Sequence, residues 1–133
     1  MKIDLDALLT AARAAREKAY APYSHFNVGS ALLADNGKVY TGANVENASY
    51  GLSICAERNA VSAAILDGAK HIVACAVITE SSPPAAPCGM CRQTLNEFAK
   101  GEVPIALGNT SGERRDTTLA VLLPMAFGPE DLP

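Results

Sequence analysis

Two short cysteine-bearing segments hold the residues best suited to chemistry. Pro87-Cys88-Gly89-Met90-Cys91 contains a Cys-x-x-Cys pair. With the second cysteine in the first turn of a helix, both sulfurs can reach one tetrahedral ion at ~2.3 Å. Redox dithiols share this spacing, so the pair alone is ambiguous. A thioredoxin-like pair follows a strand near the N-terminus, whereas this one lies late in the chain. The second segment, Cys55-Ala56-Glu57, adds a third thiol and a carboxylate. On an ideal helix Cys55 and Glu57 point about 200° apart. Glu57 therefore need not bind the ion that Cys55 binds, yet the opening of a helix can turn both toward one cleft. A carboxylate beside a metal-bound water is what general acid–base chemistry requires.

Three thiols suggest an open site. Structural zinc takes four protein ligands, whereas catalytic zinc keeps a position for water. Candidates for a fourth ligand are Cys75, His25 and His71. Cys75 sits inside an apolar strand and reads as a small buried hydrophobe. The histidines flank strands at loop positions, where solvated or hydrogen-bonded side chains are commoner than ligands. A closed structural site stays open as the alternative. Zinc with three thiolates carries a formal negative charge, so its water is harder to deprotonate than on three neutral histidines. Helix N-termini near the cysteines would offset that charge. Arg58, three residues after Cys55, could donate hydrogen bonds to the sulfurs, and Arg92 is the other candidate.

These residues need a scaffold, and the hydrophobic pattern supplies one. Leu5, Leu8, Leu9, Ala12 and Ala19 share a face of a helix over 4–19, ended by Pro22. Strands are expected over 26–34 and 38–45, joined by a two-residue turn at Asn36-Gly37. An Ala-rich helix over 55–67, closed by Gly68, should be buried on more than one side. The continuous apolar run 72–79 reads as a strand covered on both faces. A helix over 89–99, strands over 103–108 and 118–123, and a short tail over 124–131 complete the chain. Strands alternating with helices after an opening hairpin imply a mixed sheet with helices on its faces.

The 133 residues suffice for one domain, 1–133, and 49% hydrophobic content for a core. A net charge of −3 and a longest basic cluster of only Arg114-Arg115 argue against nucleic-acid binding. No apolar run approaches the roughly 18 residues of a membrane span, and the N-terminus lacks a signal-peptide layout. The expected compartment is the cytoplasm, where thiols stay reduced and read as metal ligands or core residues.

The two segments resemble the signature of zinc-dependent cytidine deaminases. Tyr20-Ala-Pro-Tyr-Ser-His-Phe-Asn-Val-Gly29 is similar to the stretch ahead of the first strand in the small members of that family. Asn44-Val-Glu-Asn-Ala-Ser-Tyr-Gly-Leu-Ser-Ile-Cys-Ala-Glu-Arg58 is similar to their central block, and Leu122-Leu-Pro-Met-Ala-Phe127 to their C-terminal motif. The resemblance covers most of 18–127, and residues 109–117 match nothing in it. It implies an α/β fold, a three-layer α/β/α sandwich around a five-stranded mixed sheet. It implies one Zn2+ per subunit on Cys55, Cys88 and Cys91, with Glu57 as the catalytic acid–base and Arg58 offsetting the thiolate charge. Further, it implies that Asn44 and Glu46 bind the ribose, a reading that their i, i+2 spacing on an extended segment supports. Phe26 would pack beside the pyrimidine, and Ala56 with Glu57 would read the base edge. Ala48, Tyr50 and Phe127 would come from neighbouring subunits of a homotetramer with shared sites. The implied reaction is hydrolytic deamination of cytidine, and of 2′-deoxycytidine, by a zinc-activated hydroxide in pyrimidine salvage. Competing readings are a deaminase of a nucleoside antibiotic, a polynucleotide deaminase, and a non-enzymatic zinc-stabilised module.

Overall fold

The computed structural model describes residues 2–99 and 102–133. Helix α1 spans Leu5–Arg16, and its Asp4 cap accepts a hydrogen bond from the Ala7 amide at 3.1 Å. It stops short of the expected 4–19, well before Pro22. Past Arg16 the chain makes two turn-type bonds, Lys18 to Ala15 and Ala19 to Arg16. It then bridges from Tyr20 to Asn44 and Glu46. That tertiary pairing ends the helix, and Ala19 falls outside its apolar face.

Strands β1 (Gly29–Ala34) and β2 (Val39–Ala43) form the opening hairpin. Four residues, 35–38, lie between the strands, and because the Ala34 amide donates to the Lys38 carbonyl the turn closes over three, Asp35-Asn36-Gly37, rather than the expected two. Only Gly37 is left-handed (φ 81°), and the Asn36 side chain accepts from the Lys38 amide at 3.0 Å. One left-handed residue fits a three-residue loop, whereas a two-residue type I′ turn needs two. The first strand starts at Gly29, not 26, because the Asn44 side chain takes the Val28 amide and the Phe26 carbonyl.

Helix α2 (Ala56–Leu66) is closed by left-handed Gly68, and β3 runs Ile72–Thr79 as expected. Helix α3 (Gly89–Phe98) and β4 (Pro104–Asn109) follow. The last strand, β5, is Arg114–Thr118, not 118–123. The Asn109 side chain accepts from the Ser111 and Glu113 amides, and Gly112 turns at φ 92°. The chain therefore reverses at once into a polar edge strand with no apolar alternation to announce it. The apolar Leu119–Leu122 is instead a single helical turn, α4, capped by the Thr118 hydroxyl.

The sheet order is β2-β1-β3-β4-β5, with β3 and β4 parallel and every other pair antiparallel. Helix α1 covers one face, packing Leu8 and Ala12 on Ala31, Leu33, Ala76 and Ile78. Helices α2 and α3 cover the other, where Ala60, Val61, Ala64 and Leu95 meet Leu32, Cys75, Val77 and Leu107. This is the expected α/β/α sandwich around a five-stranded mixed sheet. Helix α2 buries one broad face rather than several, and Leu66 is 89% exposed. The sheet and α3 reach only one side of it. No helix among the described residues is long and apolar enough to cross a membrane.

Small residues let α2 lie close against the sheet. Ala56, Ala60 and Ala64, four apart, are fully buried. A Cβ on Gly42 would sit 2.4 Å from the Ala56 carbonyl and 2.6 Å from the Ala60 amide. Gly42→Ala is expected to destabilise the fold by about 1–3 kcal/mol. The check is the denaturant midpoint at unchanged slope; an unmoved midpoint would mean that α2 shifts freely.

Candidate active site

Cys55 is the N-cap of α2, Cys88 is the N-cap of α3, and Cys91 lies in the first turn of α3. Both caps have extended backbone (ψ 156° and 168°), and neither side chain makes the usual capping bond. Both sulfurs nevertheless stand at helix N-termini, whose partial positive charge favours thiolates. The three sulfurs lie within 4.8 Å of one another, and Cys55 and Cys88 are 3.8 Å apart. Sulfurs on a tetrahedron with ~2.3 Å bonds sit about 3.8 Å apart. The donor set therefore fits zinc in both element and spacing.

Cys55 is the thiol that ionises first. A hydrogen bond from Cys91 is the main cause, with Cys88 and the Arg58 guanidinium adding to it against burial, and the result is about 5. Cys91 is pushed up by the same hydrogen bond to Cys55, with burial adding to it. The two shifts are one event, with a proton kept on Cys91 and the charge on Cys55. Arg92 is committed elsewhere, donating to the Pro87 and Leu122 carbonyls at 2.7 Å each. Of the two arginines considered, Arg58 stands beside the thiolates.

None of the fourth-ligand candidates joins the cluster. Cys75 is fully buried on β3 against the Ser30 hydroxyl, and burial pushes its thiol up to about 12. His25 lies in the loop before β1 with left-handed backbone (φ 59°), and His71 directly precedes β3.

Glu57 is 4% exposed and lines the same cavity as the cysteines. The helical-wheel separation from Cys55 does not apply, because Cys55 is a cap with extended backbone. Burial pushes the Glu57 carboxyl above the usual carboxylate range. The Cys55 thiolate adds to this, and its own backbone amide and the Cys91 thiol offset part of it. The cavity measures about 300 Å³. Phe26, Val28 and Asn44 form one wall, and Val77, Thr79, Ala85 and Ala86 another. The second wall escaped the sequence reading. The apolar residues directly before Cys88 were the only available signal for it.

Asn44 and Glu46 have a role that their spacing did not announce. Asn44 accepts from the Val28 amide at 2.9 Å and donates to the Phe26 carbonyl at 2.8 Å. Glu46 accepts from the Tyr23 and Ser24 amides at 3.0 and 3.1 Å and from the Ser24 hydroxyl. Both side chains fasten the loop that presents Phe26. Asn44 lines the cavity, whereas Glu46 stands behind Ser24, which does. Ala48, Tyr50 and Phe127 are exposed and lie outside this chain's cavity, with Tyr50 at 75% and Phe127 at 57%. The Tyr50 ring sits 5.9 Å from that of Tyr23.

Three convergent cysteine sulfurs with a buried carboxylate in an apolar cavity form the arrangement of a zinc-dependent hydrolase. Known proteins give the same answer. The family described as the cytidine and deoxycytidylate deaminase zinc-binding region matches residues 2–107. A cytidine deaminase of Sporosarcina psychrophila is 46% identical over 98% of this chain and 96% of its own length. The crystal structure of cytidine deaminase from Burkholderia pseudomallei superposes with a TM-score of 0.89 at 50% identity, covering 94% of this chain and all of that one. The cytidine deaminase structure from Mycobacterium tuberculosis gives a TM-score of 0.83 at 42% identity, over 96% and 99%. The chain belongs to the cytidine and deoxycytidylate deaminase family.

Proposed function

We infer that this chain deaminates free cytidine hydrolytically to uridine and ammonia, with 2′-deoxycytidine as a further substrate. The observation that carries the reading is a three-sulfur donor set opening onto a cavity whose one buried carboxylate is Glu57. Cys55, Cys88 and Cys91 would hold one zinc ion per subunit, which would supply an activated water for addition to the cytosine ring. Glu57 accepts one proton as the water oxygen adds to C4 and delivers it to N3; it then carries the remaining hydroxyl proton to the exocyclic amine as the C4–N bond breaks and ammonia leaves. Burial raises the Glu57 carboxyl and so favours the protonated form through which this shuttle passes. The Ala56 amide and Glu57 read the base edge, and Phe26 packs beside the ring. Asn44 and Glu46 take the ribose hydroxyls. A carboxylate offers about four acceptor sites. Three on Glu46 are filled by Tyr23 and Ser24, which leaves one for a sugar hydroxyl.

The assembly in this reading is a homotetramer with shared sites, in which neighbours supply Ala48, Tyr50 and Phe127. Their exposure here supports that role. The setting is pyrimidine salvage in the cytoplasm, where the thiols stay reduced. Conversion of cytidine to uridine by zinc-loaded protein, followed by absorbance and ammonia release, is the test. Protein with one zinc per chain and no turnover would sink the assignment.

Arg58 is assigned to the thiolate charge. A depressed thiol pKa favours metal binding above it, and protons compete with the metal as pH falls through it. Without Arg58 the Cys55 thiol rises. In Arg58→Ala the midpoint of acid-driven zinc release should therefore move up, by roughly one pH unit. A release curve that coincides with the unaltered protein's would leave the helix N-termini as the only compensation.

A further inference from the structure

The β4–β5 hairpin has no part in the site described so far, yet it grips the loop that builds one wall of the cavity. That loop, residues 80–87, leaves β3 at Thr79, carries Ala85 and Ala86, and delivers Cys88. Asn109, the last residue of β4, is fully buried, and its side-chain Nδ2 donates to the Ser81 carbonyl and to the Glu113 carboxylate, each at 3.0 Å. Glu113 also accepts from the Ser82 hydroxyl. Arg115, on β5, donates to the Pro84 carbonyl at 3.5 Å. The hairpin is itself anchored, because Arg13 of α1 donates to the Asn109 and Thr110 carbonyls at 3.0 and 3.4 Å.

We propose that Asn109, Glu113 and Arg115 form a positioning device for the cavity wall, with Glu113 as the positioning residue that fixes Ala85, Ala86 and Cys88 from behind. Its carboxylate collects two donors, one from the loop and one from Asn109, and charge-assisted bonds of this kind are the stronger ones. The loop's other bonds are mostly local, such as Ser81 to Thr79 and to Pro83. These do not fix it against the sheet. In zinc-saturated protein, loosening the loop costs substrate binding more than chemistry, because Glu57 and Cys55 stand on α2, which the hairpin does not hold; at Cys88 the looser loop shows as faster loss of zinc to a competitor.

Glu113 is exposed, so its variants should fold. In Glu113→Ala the KM for cytidine is expected to rise roughly fivefold to tenfold, with kcat within about twofold. Glu113→Gln keeps an acceptor for Ser82 and Asn109 and should recover most of the loss. Asp116→Ala unties Arg114 on the same strand, outside the brace, and should leave KM where it was. A second readout does not involve substrate: a chelator should strip zinc from Glu113→Ala several-fold faster than from the unaltered chain, with Glu113→Gln again restoring it. An unmoved KM and stripping rate in Glu113→Ala overturn the brace. So does a Gln variant as impaired as Ala, or an Asp116 variant equally impaired. The proposal rests on cytidine as substrate only for its first readout. No cytidine turnover alongside the expected stripping pattern would sink the substrate and leave the brace standing. Turnover without that pattern would do the reverse.

Discussion

Glu57→Gln is expected to keep one zinc per chain and lower kcat by about 10²–10⁴-fold, the range for a lost general acid–base. Glutamine fills the same volume, so the packing of α2 on the sheet should persist. The metal should persist too, because the three thiols that hold it are untouched. What goes is the one carboxylate among the described residues lining the cavity, the group proposed to take a proton from water and return it to the ring. The amide is also neutral, so the repulsion between the Cys55 thiolate and the Glu57 carboxylate disappears. Thermal stability should thus hold or rise while turnover collapses. Metal content by atomic absorption together with kcat decides it. A Gln variant that works at the original rate removes Glu57 from the reaction.

The second large effect is loss of the metal. Cys88→Ala leaves two sulfurs, and zinc content should fall to near zero after dialysis, with activity falling to background. Metal that binds only the folded chain stabilises it by about 4 kcal/mol at a thousandfold excess over Kd. Its loss should lower Tm by roughly 10 °C or more. Cys75→Ala is the contrast. Its thiol is buried on β3 away from the cluster, so the change leaves a small cavity and zinc stays at one per chain. A Cys88 variant that retains full zinc would reveal another ligand, and Cys75, His25 or His71 would then need reconsidering.

Much of this was legible in the sequence, for physical reasons that differ by element. The run 72–79 announced β3 because a strand buried on both faces must be apolar throughout. The cysteine pair became a metal signal only together with Cys55-Ala56-Glu57 and the family resemblance, and the three sulfurs do converge. Strand β5 was hidden for the converse reason. Arg114, Arg115 and Asp116 face solvent on a sheet edge, and their pairing with β4 is fixed by the Asn109 turn rather than by hydrophobicity. The end of α1 was misplaced because a long-range bridge at Tyr20, not Pro22, interrupts the helix. At the site, the family resemblance implied sugar binding for Asn44 and Glu46, with their i, i+2 spacing in support, but neither disclosed their grip on the Phe26 loop. Backbone acceptors and donors brought in from a distant segment leave no trace in local pattern.

The capping geometry of Cys55 and Cys88 carries one more consequence. Each occupies the position where a serine or aspartate ordinarily closes a helix, and neither closes it alone. A single ion bound to both sulfurs ties two helix starts together as a joint clasp. The catalytic ion is then also a tertiary fastener between α2 and α3, and metal loading belongs to the assembly of the fold as much as to its chemistry. An emptied chain would unravel first at the two ends that form the floor of the cavity. Depletion would thus erase the shape of the substrate's seat along with the reactive water.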